Sequence, residues 1–210
     1  MSLIENNLFI TPIYFDEKKE WLENLNKVSD PYIIQAKKES LLKWNKDFGI
    51  VHHSQSLIQD INFNKFLNYI NSNAFDILNN QGFDLTNYLL ATTELWVQEF
   101  ASLGGGNHTP HSHWNGHISG FYFLKCSDKT SYSIFHDPRS GRMMNLLPEK
   151  DRSQSTLASS LINYKPKPGT FIFFNSYLQH EFPIDYGIEP FRLIHFNIRA
   201  FPKEFLKYNK

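Results

Sequence analysis

The chain has a single cysteine, Cys126, in 210 residues, so no disulfide can form within it and a reducing compartment is expected. No apolar run approaches the ~20 residues that a membrane helix needs. The start, Met1 to Asn7, lacks the basic and apolar regions of a secretory signal. A cytoplasmic, membrane-free protein is the expectation. Charge of one sign is also missing: 21 Lys and Arg balance 21 Asp and Glu, with no basic run, so nucleic acid is not an expected partner. A Gly-x-Ser-x-Gly elbow is absent, which argues against a serine hydrolase of that type. Gly104-Gly105-Gly106 is followed by no Lys-Ser/Thr, so it is not a phosphate-binding loop.

Aromatic residues and histidines are plentiful, with 19 Phe, 10 Tyr, 4 Trp and 9 His. The aromatics point to a β-rich core. Leu8 to Phe15 reads as a strand that Pro12 either confines to an edge or interrupts, and Asp16 as the N-cap of a following helix. The tract from Tyr32 to Asp47 is ambiguous between helix and loop. From about Asn62 to Asn79, Phe63, Phe66, Leu67, Ile70, Ala74, Ile77 and Leu78 recur at three- and four-residue steps, predicting an amphipathic helix. Strands are expected at 91–100, 118–125, 131–136, 170–174 and 191–200. Helices first and closely spaced strands afterwards favour a mainly β architecture with flanking helices, an antiparallel jelly roll, in one domain spanning 1–210. Residues 1–90 form its helical buttress with an edge strand, and 91–202 its β core. The serine-rich tract 143–160 reads as a loop able to act as a lid.

Four histidines fall between 108 and 117. His111 and His113, one residue apart, share a face if the segment is extended, and His180 follows the apolar run Thr170 to Phe174. Three imidazoles converging from separate strands make an open metal site, which suits catalysis better than a structural clip. Arg192 opens a later strand, from which a guanidinium entering a barrel would pair with a carboxylate in two parallel bonds. His108 and Asp137 compete with His113 for the third ligand position. Asp137 also suits a turn before Pro138 or a salt bridge with Arg139. His117 and His136 are weaker candidates. On the strand from Phe191, alternation puts Arg192 and His195 on opposite faces, so with Arg192 inside the barrel His195 is excluded as a ligand. His52-His53 reads as a polar loop, and Cys126 as structural.

The order of "NHTPHSHWNGHISGFYFLK", "SIFHDPR", "KPGTFIFFNSYLQHEFPI" and "FRLIHFNI" resembles the iron(II)/2-oxoglutarate-dependent oxygenases, in particular a branch common in marine bacteria and their phages. The resemblance implies a double-stranded β-helix, cupin-like, with Fe(II) in its mouth and 2-oxoglutarate as cosubstrate. It places His111 and His180 as metal ligands, with His113 where the superfamily usually carries a carboxylate. Arg192 becomes the anchor for the far carboxylate of 2-oxoglutarate, and Tyr122 a further donor to the cosubstrate. The implied activity is hydroxylation of a small molecule or peptide by dioxygen, with release of succinate and CO2. Two other readings stay open: a three-histidine dioxygenase that needs no 2-oxoglutarate, and a non-catalytic metal- or ligand-binding module of the same fold. Asn107, Asn115 and Asn175 are lesser polar candidates near the site.

Overall fold

The structure, a computed structural model, describes residues 4, 8–44, 46–141 and 147–204. Strand β1 (Ile13–Glu17) leads through a 3-10 turn at Lys19–Trp21 into helix α1 (Leu22–Trp44). Then come β2 (Val51–His53), α2 (Asn64–Asn80), β3 (Tyr88–Phe100), β4 (His108–His111), β5 (Ile118–Lys125) and β6 (Ser133–His136). The remaining strands are β7 (Leu161–Tyr164), β8 (Thr170–Asn175), β9 (His180–Phe182) and β10 (Arg192–Pro202).

The strands form two antiparallel sheets, one in the order β1-β8-β5-β10-β3-β2 and the other β4-β9-β6-β7. This is the mainly β, double-stranded β-helix fold with flanking helices. The larger sheet is buried on both faces, which explains why β5 and β8 are continuously apolar instead of alternating. Tyr122, Leu124, Phe171, Phe173, Ile194, Phe196 and Ile198 point one way, into a core with Ile33 of α1 and Phe66, Ile70 and Ala74 of α2. Phe121, Phe123, Ile172, Phe174 and Leu193 point the other way and meet Phe135 and Phe182 of the smaller sheet and Leu178 of the turn before β9. The helices therefore buttress one face, and the inter-sheet space on the other face holds the histidines.

Several boundaries move. The edge strand begins at Ile13 instead of Leu8, because Pro12 withholds a donor, and Asp16 stays in that strand and caps no helix. Pro31 lies within α1, and the ambiguous tract is helical to Trp44. The short strands β2, β4, β7 and β9 carry too few residues to show a period in the sequence. Of the tract 143–160, residues 143–146 lie outside the described residues, and 147–160 contain no helix or strand. Among the described residues, no helix is long and apolar enough to cross a membrane.

Candidate metal centre

β4 and β9 pair with His111 directly opposite His180, which brings the first and last of the three predicted ligands together. His113 follows in a turn beyond β4, held by its own N–H donating to Ser176 O at 2.9 Å and by Gly116 N–H donating to its carbonyl at 3.1 Å. One nitrogen from each of His111, His113 and His180 lies within 4.8 Å of the others. Ring centroids are separated by 4.4 Å (111 to 180), 5.1 Å (111 to 113) and 5.2 Å (113 to 180).

Two of the three rings are oriented for metal. His111 Nδ1 donates to Thr109 O at 2.7 Å, and His180 Nδ1 donates to Leu178 O at 2.9 Å. A carbonyl only accepts, so each neutral ring keeps its proton on Nδ1 and turns an Nε2 lone pair inward. His180 Nε2 and His113 Nε2 are buried without a partner among the described residues. Burial drives His180 down to about 3 and His113 to about 4, with the neighbouring histidines adding to the effect, so both rings are neutral at pH 7.

Sequence reasoning missed His195. It is fully enclosed, with its Nε2 unpartnered, stacks on Trp96 at 4.4 Å and lies 4.9 Å from His113. The alternation along β10 holds, but its direction is opposite to the one assumed. Leu193, His195 and Asn197 look into the inter-sheet space, while Arg192 looks toward α1. There the Arg192 guanidinium donates from Nε to Glu99 Oε2 and from Nη1 to Asp30 Oδ1, both at 2.5 Å. Tyr122 is likewise on the helix side, its hydroxyl donating to Lys18 O at 2.7 Å. The structure thus brings His111, His113 and His180 together but puts Arg192 and Tyr122 on the other face of the sheet.

His108 also lines the space, pushed to about 3 by burial and by neighbouring imidazoles, and His53 of β2 joins it from across the barrel. Asp137 lies elsewhere, bound by Arg139 Nη2 at 2.7 Å. His136 faces Glu181, His52 pairs with Asp47, and His117 accepts from Ala200 N–H. Asn175 bonds Gln81, and Asn115 accepts from Arg199. Burial raises the Cys126 thiol to about 12, which leaves no nucleophile there.

The barrel shape has counterparts among known proteins. A family model described as "Putative 2OG-Fe(II) oxygenase" matches residues 94–196, from β3 through the histidines into β10. The match covers just under half of the chain, which over that stretch is similar to the iron(II)/2-oxoglutarate oxygenases. A prolyl-4-hydroxylase from Pseudomonas putida shares the fold at TM-score 0.55 and 13% identity, over 90% of this chain and 94% of that one. A non-haem alpha-ketoglutarate-dependent epimerase, SnoN of nogalamycin biosynthesis, does so at TM-score 0.56 and 11% identity, covering 90% and 78%. The chain spans 54% of the length of a 2OG-Fe(II) family oxidoreductase from Burkholderia pseudomallei, with 68% of this chain aligned, TM-score 0.43 and 10% identity. No curated protein matches the sequence.

The family implies Fe(II) and 2-oxoglutarate, and the two fit this chain differently. The inward Nε2 lone pairs of His111 and His180 suit a divalent first-row ion. The cavity between them is about 40 Å³, lined by His53, Trp96, Gln98, His108, His111, His113, Phe121, His180, Phe182 and His195. That is room for an ion and little more, and no Lys or Arg is among those residues. A five-carbon diacid anchored by Arg192 does not fit this arrangement.

Proposed function

We propose that the protein is an iron(II)-dependent oxygenase whose metal is held by His111, His113 and His180, and which oxidises a small molecule or peptide with dioxygen. The observation that carries this reading is the convergence of those three side chains at the barrel mouth, within a sequence region of the oxygenase family. Bound Fe(II) supplies dioxygen activation, the chemistry that protein side chains lack.

The chain's own groups prepare the site. Thr109 and Leu178 carbonyls fix two ring orientations, and Phe121, Phe174 and Phe135 pack around His180 and keep its surroundings apolar. A second cavity of about 370 Å³, bounded by Thr93, Glu94, Ser112, His113, Trp114 and Asn197 among others, shares the His113 wall and offers space for a substrate beside the ligand set. With 2-oxoglutarate supplying two electrons the expected outcome is hydroxylation, with succinate and CO2 released; without it both oxygen atoms of dioxygen enter the substrate.

The family's cosubstrate is 2-oxoglutarate, but the position of Arg192 favours a second reading, a three-histidine oxygenase that does without it. Anaerobic, Fe(II)-loaded protein titrated with 2-oxoglutarate separates the two. A metal-to-ligand charge-transfer band that His180→Ala abolishes supports 2-oxoglutarate dependence. Stoichiometric iron with no band, together with substrate-dependent oxygen uptake, supports the second. Failure of the protein to bind iron at all would sink both.

A further inference from the structure

Of the three converging imidazoles, His113 alone is turned the wrong way for a metal. Its Nδ1 lies 3.1 Å from the Asn197 side-chain nitrogen, which is a donor, so Nδ1 accepts and the neutral ring carries its proton on Nε2. The inward-facing group of His113 is thus an N–H, buried without a partner, opposite two lone pairs. Resting on the metal-binding reading above, we propose that Asn197, oriented by Glu94, is a positioning residue that sets the His113 tautomer and thereby limits how tightly the three-histidine site holds its ion.

The orientation of the Asn197 amide is decided by one neighbour. Its oxygen accepts from Ser119 Oγ at 2.5 Å, and Ser119 Oγ lies 2.8 Å from Ser176 Oγ. A hydroxyl can donate or accept, so this serine pair would serve either rotamer of the amide. Glu94 would not. Its carboxylate accepts from the Asn197 nitrogen, and turning the amide over would set two acceptor oxygens against each other. The Glu94 carboxylate thus keeps the nitrogen toward His113, and Asn197 itself is nearly fully buried. Removing the carboxylate charge but keeping the shape frees the amide to turn. Its oxygen would then accept from His113 Nδ1–H, and Nε2 would offer a lone pair to the metal. Outer partners of this kind change metal affinity by about 10–100-fold.

The consequence has an unusual sign: replacing a carboxylate near a cation site strengthens it. The opposite expectation is equally concrete, because Glu94, His113 and His195 also offer ligand atoms within 4.8 Å of one another. The test uses the full chain and Co(II) under anaerobic conditions, with long-range 1H–15N spectra of the metal-free protein to read the His113 tautomer. The expected results are an Nε2–H ring in the parent, an Nδ1–H ring in Glu94→Gln, and Co(II) binding roughly tenfold tighter in that variant. In a His113→Ala background, Glu94→Gln should leave Co(II) affinity unchanged, a coupling that a merely structural role would not produce. An Nδ1–H ring in the parent, weaker or unaltered Co(II) binding in Glu94→Gln, or a gain that persists without His113 would each overturn the proposal. No Co(II) binding in either protein would overturn it together with the metal reading. Tight Co(II) binding with the expected tautomers, but no dioxygen consumption by the iron form, would sink the oxygenase reading alone.

Discussion

Arg192 and Glu99 are direct partners on adjacent strands β10 and β3, and their side chains meet on the helix-covered face with Nε 2.5 Å from Oε2. Lys37 and Asp30 of α1 complete the group, Lys37 on Glu99 and Asp30 on Arg192. Both members of the central pair are nearly fully enclosed, so removing Arg192 takes from the buried Glu99 carboxylate one of its two cations and leaves it Lys37. Such losses cost about 3–5 kcal/mol. Arg192→Ala should therefore lower the urea midpoint substantially while leaving Co(II) affinity close to that of the parent. A variant that keeps its stability but loses cosubstrate binding would restore Arg192 to the role the sequence resemblance gave it.

The same network has a pH signature. Burial pushes the Glu99 carboxyl up, but the bonds and charges of Lys37 and Arg192 outweigh it, and its folded pKa ends below the usual value of 4.5. A depressed carboxylate contributes stability that is complete above the unfolded pKa and is lost as pH falls through the folded one. Without Arg192 the folded pKa rises toward the unfolded value. The parent should then lose more stability between pH 5 and pH 3 than Arg192→Ala does, read as the pH dependence of the urea midpoint.

The histidines were legible and the direction of β10 was not, for a physical reason. Period-2 alternation divides Phe191 to Ile198 into two sets, but both sets are apolar enough to be buried, since this strand lies in the middle of a sheet covered on both sides. Polarity therefore cannot say which set faces the metal. Arg192 had seemed to decide it, yet a buried arginine needs only carboxylates, and Glu99 and Asp30 supply them from the helix side. The helix over 64–80 was readable because its outer face is exposed and its period shows. His113 joined the site by a turn held by Ser176, a contact across 63 positions in the chain that no local pattern reveals.

Tyr122 separates a cosubstrate role from a packing role. Its ring packs on Phe171 at 4.4 Å and Phe66 at 5.9 Å, and its hydroxyl bonds Lys18 O at the entrance to the 3-10 turn. Burial raises its pKa, so it stays a neutral donor throughout the physiological range. Tyr122→Phe should cost about 1 kcal/mol of stability through the lost bond, since the Lys18 carbonyl still accepts from Trp21 N–H. Metal affinity and any 2-oxoglutarate band should not change. A lost band with unchanged unfolding would contradict the placement of this residue.

Gly120 has less room for a side chain than any other described glycine. A Cβ there would lie 2.3 Å from Ile172 O on β8 and 2.3 Å from the Phe196 ring on β10. The first of these is backbone in the strand paired with β5, so relief requires the sheet itself to spread. Gly120→Ala should cost about 1–3 kcal/mol or more, the range for overpacking a core. Because β5 is central to the sheet, loss of soluble folded protein is the extreme of the same outcome. Gly141, where no described residue lies within 4 Å of an added Cβ, is the matched control and should accept alanine with little change.

Acid should loosen the metal-free protein well before its carboxylates titrate. His108 and His180 are held at about 3 and His113 at about 4, against about 6.5 for a free imidazole. Below pH 6.5 the unfolded chain binds protons that the folded chain refuses, so the folded state loses ground with each step downward. This contribution is complete above pH 6.5 and is progressively lost until the folded rings themselves titrate near pH 3–4. Because the rings lie close together, a proton on one discourages the next, and the site titrates as a set. In chelator-treated protein the urea midpoint should fall steadily between pH 7 and pH 5, a window in which Glu99 contributes almost nothing. His108→Phe keeps an aromatic ring beside Phe100 and Phe182 but cannot bind a proton, so its midpoint should fall less steeply over that range. Equal slopes for the two proteins would mean that His108 carries no acid penalty, and that its ring is open to water in the metal-free state.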